Sequence, residues 1–385
     1  MSAAAVAIEA DELPPEAYAS ALAGLPGMGP ARLAAVIGAM SPAAAWAKAR
    51  RGGPWREPPV VAALGPRAAG VVAGWRAAAA AIDVRAGWRR ALSVGLGVAL
   101  HGQPGYPPAL ADDIEPPIVL FHQGSLDVLD DAPRVAIVGT RRCTATGAGM
   151  AFELGRDLAA AGVVVVSGLA LGIDGAAHRG ALAARLAPPV GVVASGLDVV
   201  YPASQRELWA TVIDVGLLVT EAPLGTRPER WRFPARNRIM AGLADLVVVV
   251  ESHRRGGSLH TVDEADRRGI DVMAVPGSVR SAASVGVNDL LAEGRTPVRD
   301  VDDVLLALGL GAASRRQPVE RRPAPTADDQ PVLEAVGWQP ASLDEIALRT
   351  GLSIVELASA LDRLCASGWV ERDGGWYERI ARDAS

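Results

Sequence analysis

The sequence contains few cysteines, almost no lysine and no long hydrophobic run. Cys143 and Cys365 lie far apart without paired Cys or His spacing, which excludes a disulfide framework and predicts neither a zinc site nor another cofactor. No uninterrupted apolar stretch reaches about 18 residues, and the first residues carry acids where a secretory signal carries basic side chains. We therefore expect a cytoplasmic protein that does not enter a membrane.

Positive charge is also not in excess. The formal net charge is −5 at pH 7, whereas many nucleic-acid-binding proteins carry a basic balance or stripe. From Thr326 to the end, eleven acids face five arginines, so this region carries −6 and the remainder about +1. Between Arg134 and Asp303, nineteen arginines match nineteen acids. A cationic site there requires local clustering of arginine.

Residues 1–95 predict a small helical domain, because Ala, Leu, Val and Trp recur at helical spacing between Gly and Pro breaks. Within it, LAGLPGMGPARLAAVI has the pattern of a helix-hairpin-helix, or SAM-like, domain with Gly27 and Gly29 at the turn. Two interpretations stay open. The turn amides bind a phosphate, or the motif is only a tight interhelical turn.

Residues 96–312 predict an α/β domain. The runs VAIVG, VVVVS, VGVVA, LLVTE, LVVVVE and VMAVPG alternate with helical segments, which is typical of a parallel sheet covered on both faces. This is a Rossmann-like arrangement, and such sheets bind ligands at the carboxyl ends of their strands. Glycine, hydroxyl and arginine side chains recur at those ends, a combination that favours a polyanion.

Residues 313–330 have the charge and proline content of a linker, and residues 331–385 predict a winged helix. Ser342 with Glu345 and Ser353 with Glu356 predict two capping boxes, and Asp373–Gly374 a hairpin turn. We expect three tryptophans in this core, namely Trp338, Trp369 and Trp376. The second helix is poor in cations, which favours contact with protein over contact with DNA.

The segment WRFPARNRIMAGLADLVVVVE gathers arginines ahead of a buried strand. Pro234 predicts the start of a helix with Arg236 and Asn237 in its first turn. Arginines at this position suit the phosphates of a nucleic-acid strand, while Phe233 or Trp231 stacks on a base. The alternative is a solvated face that pairs with nearby acids. Asp174 and His178 are interpreted as structural, Asp174 as a helix cap.

These motifs together resemble the bacterial DNA-processing protein A (DprA/Smf) family. The resemblance is carried by VAIVGTRR, SGLALGIDGAAHRGAL, GLDVVYPASQREL, EAPLGTRPERWRFPARNRIMAGLADLVVVVE, GGSLHT and AVPGS with VGVNDLLAEG. It is strongest over residues 100–310, and the order of the three domains extends it to nearly the whole chain. Two departures are Gly256, where members often carry Ser, and the stretch HTVDEADRRG, which is more acidic and less apolar than in the family and makes Thr261 a weaker residue to carry over.

The resemblance implies binding of single-stranded DNA without chemistry, loading of a RecA-type recombinase, and a role in natural transformation. It also implies a homodimer formed through the Rossmann-like domains. Arg142 is added to the site as a neighbouring charge. The complete predicted DNA site consists of Gly139, Thr140, Arg141, Arg142, Ser167, Gly168, Gly172, Asp174, Phe233, Arg236, Asn237, Arg238, Gly257, Ser258 and Thr261.

The competing hypothesis is an enzyme. Nucleotide-binding proteins of the phosphoribohydrolase type use similar Gly-rich turns and arginines, but the paired carboxylates of a PGGxGTxxE arrangement do not occur here. A dinucleotide-dependent enzyme is disfavoured because GTRRCTATG lacks the GxGxxG spacing. A purely structural or partner-docking protein with a vestigial pocket is the third hypothesis. We therefore expect no enzymatic activity.

Overall fold

The computed structural model describes residues 13–130, 132–310, 322–338 and 340–380. The chain divides into two compact units, Met1–Ser314 and Arg315–Ser385. The domain limits predicted after residues 95, 312 and 330 stay predictions, and much of the predicted linker lies outside the described residues. No helix of the described segments has the length and apolar character needed to span a bilayer.

The described part of the first unit begins with a group of helices. Four of them start at proline, because its fixed φ and missing N–H suit the first helical position. These helices are α1 Pro15–Ala23, α2 Pro30–Ala39, α3 Pro42–Arg51, α4 Pro58–Leu64, α5 Ala68–Ala81 and α6 Val84–Ser93, with a 3₁₀ turn at Gly65–Arg67.

A nine-stranded sheet follows, in the order β1-β2-β6-β5-β4-β3-β7-β8-β9. The strands are β1 Gly97–Leu100, β2 Val119–Gly124, β3 Arg134–Val138, β4 Val164–Ser167, β5 Val190–Val192, β6 Leu217–Thr220, β7 Leu246–Val249, β8 Asp271–Ala274 and β9 Thr296–Pro297. The six predicted hydrophobic runs form β3 to β8, and these six strands are parallel to one another. The Rossmann-like prediction is confirmed.

Sequence analysis missed both edges of this sheet. β1 and β2 pair antiparallel with each other, and β2 pairs antiparallel with β6. β9 contains only two residues and pairs parallel with β8. β9 is too short to leave a pattern in the sequence, whereas the runs of β1 and β2 are hydrophobic at only three or four positions and were overlooked.

Helices connect the strands and cover the sheet. They are α7 Pro108–Ala111, α8 Ala145–Ala160, α9 Ile173–Ala184, α10 Arg206–Val215, α11 Arg232–Leu243, α12 Leu259–Arg268, α13 Val285–Ala292 and α14 Val301–Ala307. Three 3₁₀ turns accompany them, at Leu126–Leu129, Ala203–Gln205 and Ala282–Ser284. One hydrophobic cluster joins strand residues such as Ile137 and Val248 to the helices.

A second cluster joins the N-terminal helices to the sheet. Leu22 and Trp75 of the helices belong to the same group of buried side chains as Phe121 and Trp209. All four are less than about 3% exposed. The helical region therefore packs on the sheet and holds its hairpin turn in a fixed position relative to the strand ends.

The second unit has the predicted winged-helix elements. These are α15 Gln330–Val336, β10 Ala341–Ser342, α16 Leu343–Thr350, α17 Ile354–Ala366, β11 Val370–Asp373 and β12 Trp376–Arg379. Both predicted capping boxes are present, at Ser342 and Ser353. The hairpin turn lies one residue later than predicted, at Gly374 and Gly375, because both positions require positive φ.

The prediction that the three tryptophans belong to this core is wrong for two of them. Trp338 is 63% exposed and Trp376 is 50% exposed. The core consists of aliphatic side chains from the three helices, together with Tyr377 and Val370. Trp338 instead lies beneath the Arg379 guanidinium, 4.6 Å from the ring centroid. Leu, Ile and Val side chains with Tyr377 already fill the limited interior of such a unit, so Trp338 and Trp376 remain at its surface.

Candidate nucleic-acid interface

The parallel sheet has a topological switch point between β3 and β7. β3 pairs with β4 on one side and with β7 on the other. The chain therefore adds β4, β5 and β6 on one side of β3 and then returns to add β7, β8 and β9 on the other side. At such a point the loops after the two strands diverge and leave a crevice. The loops after β3, β4 and β7, with α11, surround the crevice of this protein.

The crevice contains a cavity of about 700 Å³. Its lining includes the end of β3, the loop after β7, side chains of α11 from Phe233 to Met240, and the start of α12. The cavity lining contains eleven of the fifteen predicted site residues: Gly139, Thr140, Arg141, Arg142, Asp174, Phe233, Arg236, Asn237, Gly257, Ser258 and Thr261. Loops distant in sequence thus meet at one place, as expected from the parallel topology.

The charge of the cavity is strongly positive. Five arginines line it, whereas Asp174 is the carboxylate among its lining residues. Four of these arginines are exposed and one is buried. The exposed ones are Arg141, Arg142, Arg230 and Arg255. Of these, Arg230 and Arg255 were absent from the predicted site, although clusters of arginine at the strand ends were the signal that would have included them.

Arg236 is the buried member, with 7% of the residue exposed. Its Nη1 donates to the carbonyl of Val192 at 2.9 Å, while its Nε has no hydrogen-bond partner. No carboxylate of the described residues makes an ion pair with it; Asp174 is its nearest source of compensating charge. Burial lowers the pKa of Arg236 to about 10, so the side chain remains a cation at neutral pH.

Gly168 makes this position of Arg236 possible. A Cβ at residue 168 would occupy the space of the guanidinium group. Gly168 therefore brings the backbone close to Arg236. Gly172 has a similar internal role, since its φ of +74° places it against the carbonyl of Thr140.

Asp174 lies in the first turn of α9, 5% exposed. Burial raises the pKa of its carboxyl group, and Arg236 with the backbone N–H groups of Ala170 and Gly168 opposes that increase. The cap of α9 is Gly172. The expectation that Asp174 caps the helix is thus wrong: the carboxylate fixes the loop after β4 and partly balances Arg236.

Aromatic side chains stand at one side of the cavity. The Arg141 guanidinium lies 4.6 Å from the centroid of the Phe233 ring, and Tyr201 lies 5.9 Å from that ring, centroid to centroid. A smaller cavity of about 60 Å³ opens beside them, lined also by Gly168 and Arg236. Tyr201 was not among the predicted site residues, although it belongs to the motif GLDVVYPASQREL that carries the family resemblance. Rings and guanidinium together provide a surface for stacking.

Arg238 does not belong to the cavity. It is 8% exposed, it pairs with Glu221, and its Nη1 donates to the carbonyl of Glu115 at 2.6 Å. Residues two apart on a helix point about 200° away from each other, so Arg238 and Arg236 face different sides of α11. The sequence already predicted a helix over these residues. The assignment of Arg238 and Arg236 to one site was therefore inconsistent with the geometry of that helix.

The start of α11 also differs from its prediction. The helix begins at Arg232, so Pro234 is its third residue and Arg236 lies in the second turn. Proline fits anywhere in the first turn because those N–H groups have no helical partner. Arg236 and Asn237 therefore do not lie beside the free amides of the helix terminus.

Hydroxyl and amide groups complete the cavity wall. Asn237 Nδ2 donates to the carbonyl of Gly257 at 3.2 Å, and Ser258 Oγ donates to Ser252 Oγ at 2.9 Å. Thr261 is fully buried, and its Oγ1 has no partner among the described residues. Ser167 lies behind the cavity, where its hydroxyl donates to the carbonyl of Ile137 at 2.6 Å.

The hairpin turn of the helical region lies beside the strand ends. Gly29 and Pro30 line a cavity of about 40 Å³ together with Trp231 and Arg232. One carbonyl of the turn, that of Gly27, accepts a hydrogen bond from Arg32 Nη1 at 2.6 Å. Trp231 thus borders a different cavity from Phe233. Anion binding by the turn stays a prediction.

Comparison with known proteins gives consistent matches. The family described as DNA recombination-mediator protein A matches residues 97–309, and the DprA winged helix domain matches residues 316–375. A putative DNA processing protein DprA of Mycobacterium tuberculosis is 41% identical over 275 residues, 69% of each chain.

Two solved structures extend the comparison. The X-ray structure of DNA processing protein A from Streptococcus pneumoniae is 31% identical with a TM-score of 0.61, covering 76% of this chain and 96% of the other. A structure of DNA processing protein A from Helicobacter pylori, described by its single-stranded DNA binding mode, is 28% identical with a TM-score of 0.50. It covers 55% of this chain and 95% of the other.

Proposed function

Because this chain belongs to the DNA recombination-mediator protein A family, also called DprA or Smf, we propose that it binds single-stranded DNA in the arginine-lined cavity. It binds the strand without chemical change and helps to load a RecA-type recombinase onto it. The process served is recombination of incoming DNA in natural transformation. The protein acts in the cytoplasm as a homodimer formed through the Rossmann-like region.

The observation that carries this proposal is Arg236. A buried cation without an ion-pair partner costs free energy in the absence of a ligand, because few groups replace its lost hydration. Here that cation lines a cavity whose other arginines are exposed. An anion that enters the cavity offsets the cost. The placement therefore supports a binding site for a polyanion over a surface that merely carries charge.

The aromatic side chains of the cavity support a single DNA strand as that polyanion. Phe233 and Tyr201 offer ring faces beside Arg141, and bases of a single strand are free to stack on such faces. In a duplex the bases are already stacked and paired. Arg142, Arg230 and Arg255 lie where phosphates of the same strand would follow. Recognition of this kind tolerates any sequence.

The second candidate, an enzyme of the phosphoribohydrolase type, has no observation in its favour. Acid–base chemistry on a glycosidic bond uses carboxylates placed around the bond. Among the residues that line the large cavity, Asp174 is the carboxylate, and it is held by the loop after β4 and by Arg236. Its surroundings favour a structural role.

The first experiment is a fluorescence-anisotropy titration of a labelled single-stranded oligonucleotide at several salt concentrations. Two neighbouring arginines provide a matched pair of variants. Arg255→Ala removes a charge from the cavity, whereas Arg254→Ala removes one that pairs with Asp289 outside it. If Arg255 contacts a phosphate, its loss reduces the log–log salt slope by about 0.7, and loss of Arg254 leaves the slope unchanged. Equal behaviour of the two variants, or equal affinity for a duplex, would contradict the proposal.

The loading step requires a separate assay. We expect the protein to accelerate filament formation by a RecA-type recombinase on DNA covered by single-strand-binding protein. Arg255→Ala should reduce the acceleration in proportion to its loss of DNA affinity, since loading begins with the bound strand. A protein that binds the strand but leaves filament formation unchanged would retain the DNA-binding proposal and refute the loading step.

A further inference from the structure

Glu251 places a carboxylate at the point where Rossmann-like folds hold a phosphate. The residue follows β7 at the switch point and is 7% exposed. Its Oε2 accepts a hydrogen bond from the backbone N–H of Thr144 at 2.9 Å, and its Oε1 accepts one from the Thr144 hydroxyl at 2.6 Å. Thr144 is the N-cap of α8, the helix that follows β3. In nucleotide-binding relatives of this fold, a phosphate group binds at that helix terminus.

The helix terminus is fitted closely to this carboxylate. The Thr144 hydroxyl donates to Glu251 and accepts from the N–H of Gly147 at 3.0 Å, so it links the helix to the acid. A Cβ at residue 147 would collide with the carboxylate. α8 has 16 residues and no acid in its first turn. Glu251 therefore supplies the negative charge that the terminus favours.

The same residue holds the loop that carries two cavity arginines. The backbone carbonyl of Glu251 accepts from the N–H of Thr140 at 2.7 Å, and the Thr140 hydroxyl accepts from the N–H of Arg142 at 3.2 Å. Glu251 thus binds residue 140 through its backbone and residue 144 through its side chain. Arg141 and Arg142 lie between these two anchors.

We propose that Glu251 is a specificity-determining and positioning residue. Its carboxylate fills the phosphate site of α8, excludes the phosphate of a free nucleotide from that site, and holds residues 140–144 so that Arg141 and Arg142 face a DNA strand. The exclusion is independent of the proposed function, whereas the positioning of the arginines rests on it. A Rossmann-like crevice is thereby converted from a nucleotide site into a site for a strand.

The direct test is the Glu251→Ala variant of the full chain, titrated calorimetrically with inorganic phosphate and with adenosine monophosphate. We expect the variant to bind both anions roughly tenfold more tightly than the wild type, because the helix terminus is left without its anion. Glu293→Ala removes an exposed acid elsewhere and is the matched control. A folded Glu251→Ala protein with wild-type affinity for both anions would overturn the exclusion.

A second variant keeps the inference testable if Glu251→Ala does not fold. Burial raises the pKa of the Cys143 thiol, and the charge of Glu251 raises it further. In a Cys365→Ser background, Glu251→Gln should therefore increase the alkylation rate of Cys143 by roughly twofold to threefold at about pH 8. The same change at Glu293 should not alter the rate. An unchanged rate in Glu251→Gln would show that no charged carboxylate lies at this loop, and would also overturn the inference.

Anisotropy measurements on the same variants separate the two proposals. If the wild type does not bind the oligonucleotide but Glu251→Ala gains phosphate binding, the proposed function fails and the exclusion stands. If the wild type binds DNA, we expect Glu251→Ala to bind the oligonucleotide roughly tenfold more weakly, because residues 140–144 are no longer held in place. Wild-type DNA affinity in a folded Glu251→Ala protein would overturn the positioning role alone.

Discussion

The two faces of α11 hold buried arginines in opposite electrostatic situations. Arg236 and Arg238 are two residues apart and almost equally buried, at 7% and 8% exposed. Arg238 has a carboxylate partner in Glu221 and a carbonyl acceptor in Glu115. Arg236 makes no ion pair among the described residues, and its Nε has no partner. Arg238 is therefore fully compensated on its face of the helix, whereas Arg236 has only the partial compensation that the charge of Asp174 gives.

This difference distinguishes a structural charge from one available to a ligand. A buried ion pair satisfies its own groups, so it contributes to the fold and has little to offer an incoming molecule. A buried cation beside a cavity is incompletely compensated, so an anionic ligand that binds there is stabilised by its charge. Burial alone does not separate these cases, whereas the ion-pair and hydrogen-bond partners of each arginine do. Substitutions on the two faces should therefore have different consequences for stability and for binding.

The largest expected effect is on stability at the paired face. Arg238→Ala leaves the largely buried Glu221 carboxylate, whose side chain is 17% exposed, without its partner, and we expect the free energy of unfolding to fall by about 3 kcal/mol, the lower end for a buried pair. Urea denaturation measures this. The double change Arg238→Met with Glu221→Leu removes both charges and should restore most of the loss. If the single variant is as stable as the wild type, the contrast between the two faces is wrong.

The opposite pattern is expected at the unpaired face. Arg236→Met removes a cation that makes no ion pair, and Asp174 keeps its backbone N–H partners, so the free energy of unfolding should fall far less than in Arg238→Ala. The affinity for a single-stranded oligonucleotide should fall roughly 10- to 100-fold, the weight of a charge-assisted hydrogen bond. Arg254→Met, at an exposed surface pair, is the control and should change neither quantity. A variant that loses stability while keeping its DNA affinity would assign Arg236 to the fold.

The smallest expected effect concerns His178, whose ring lies near Arg236. Burial lowers the pKa of His178 to about 4, and the charge of Arg236 adds to that decrease. The unfolded chain takes up this proton near pH 6.5, before the folded protein does, so stability is lost as the pH falls below that value. Between about pH 7.5 and 5.5 we expect a loss of about 1 kcal/mol. Urea titrations of wild type and His178→Gln check this, and parallel pH dependence of the two would refute it.

Much of the fold and of the candidate site could be predicted from local patterns in the sequence. The six hydrophobic runs predicted β3 to β8, and the parallel arrangement they imply brought eleven of fifteen predicted residues into one cavity. Ser342 and Ser353 predicted their capping boxes, since the spacing to the following glutamate is local. These predictions succeeded because hydrophobic periodicity and capping depend on residues a few positions apart.

The errors concern side-chain surroundings. Arg238 was assigned to the cavity, Asp174 to a helix cap, and Trp338 and Trp376 to a core. Helical geometry alone separates Arg238 from Arg236, but what each of these side chains meets depends on contacts across the fold. The partner of Arg238 is 17 residues away in sequence, and the group that packs against Gly168 is Arg236. A pattern of residue types does not contain these distances.

The sequence by itself determined the class of the fold, the family and the edge of the sheet where a site would form. It also supplied the arginines, but in a chain with nineteen of them between Arg134 and Asp303 it could not separate those at a cavity from those in ion pairs. Only the tertiary structure decided that Arg236 lacks an ion-pair partner and that Glu251 occupies the helix terminus at the switch point. The physical reason is that hydrophobic patterning acts along the chain, whereas the compensation of a buried charge depends on groups that folding brings together.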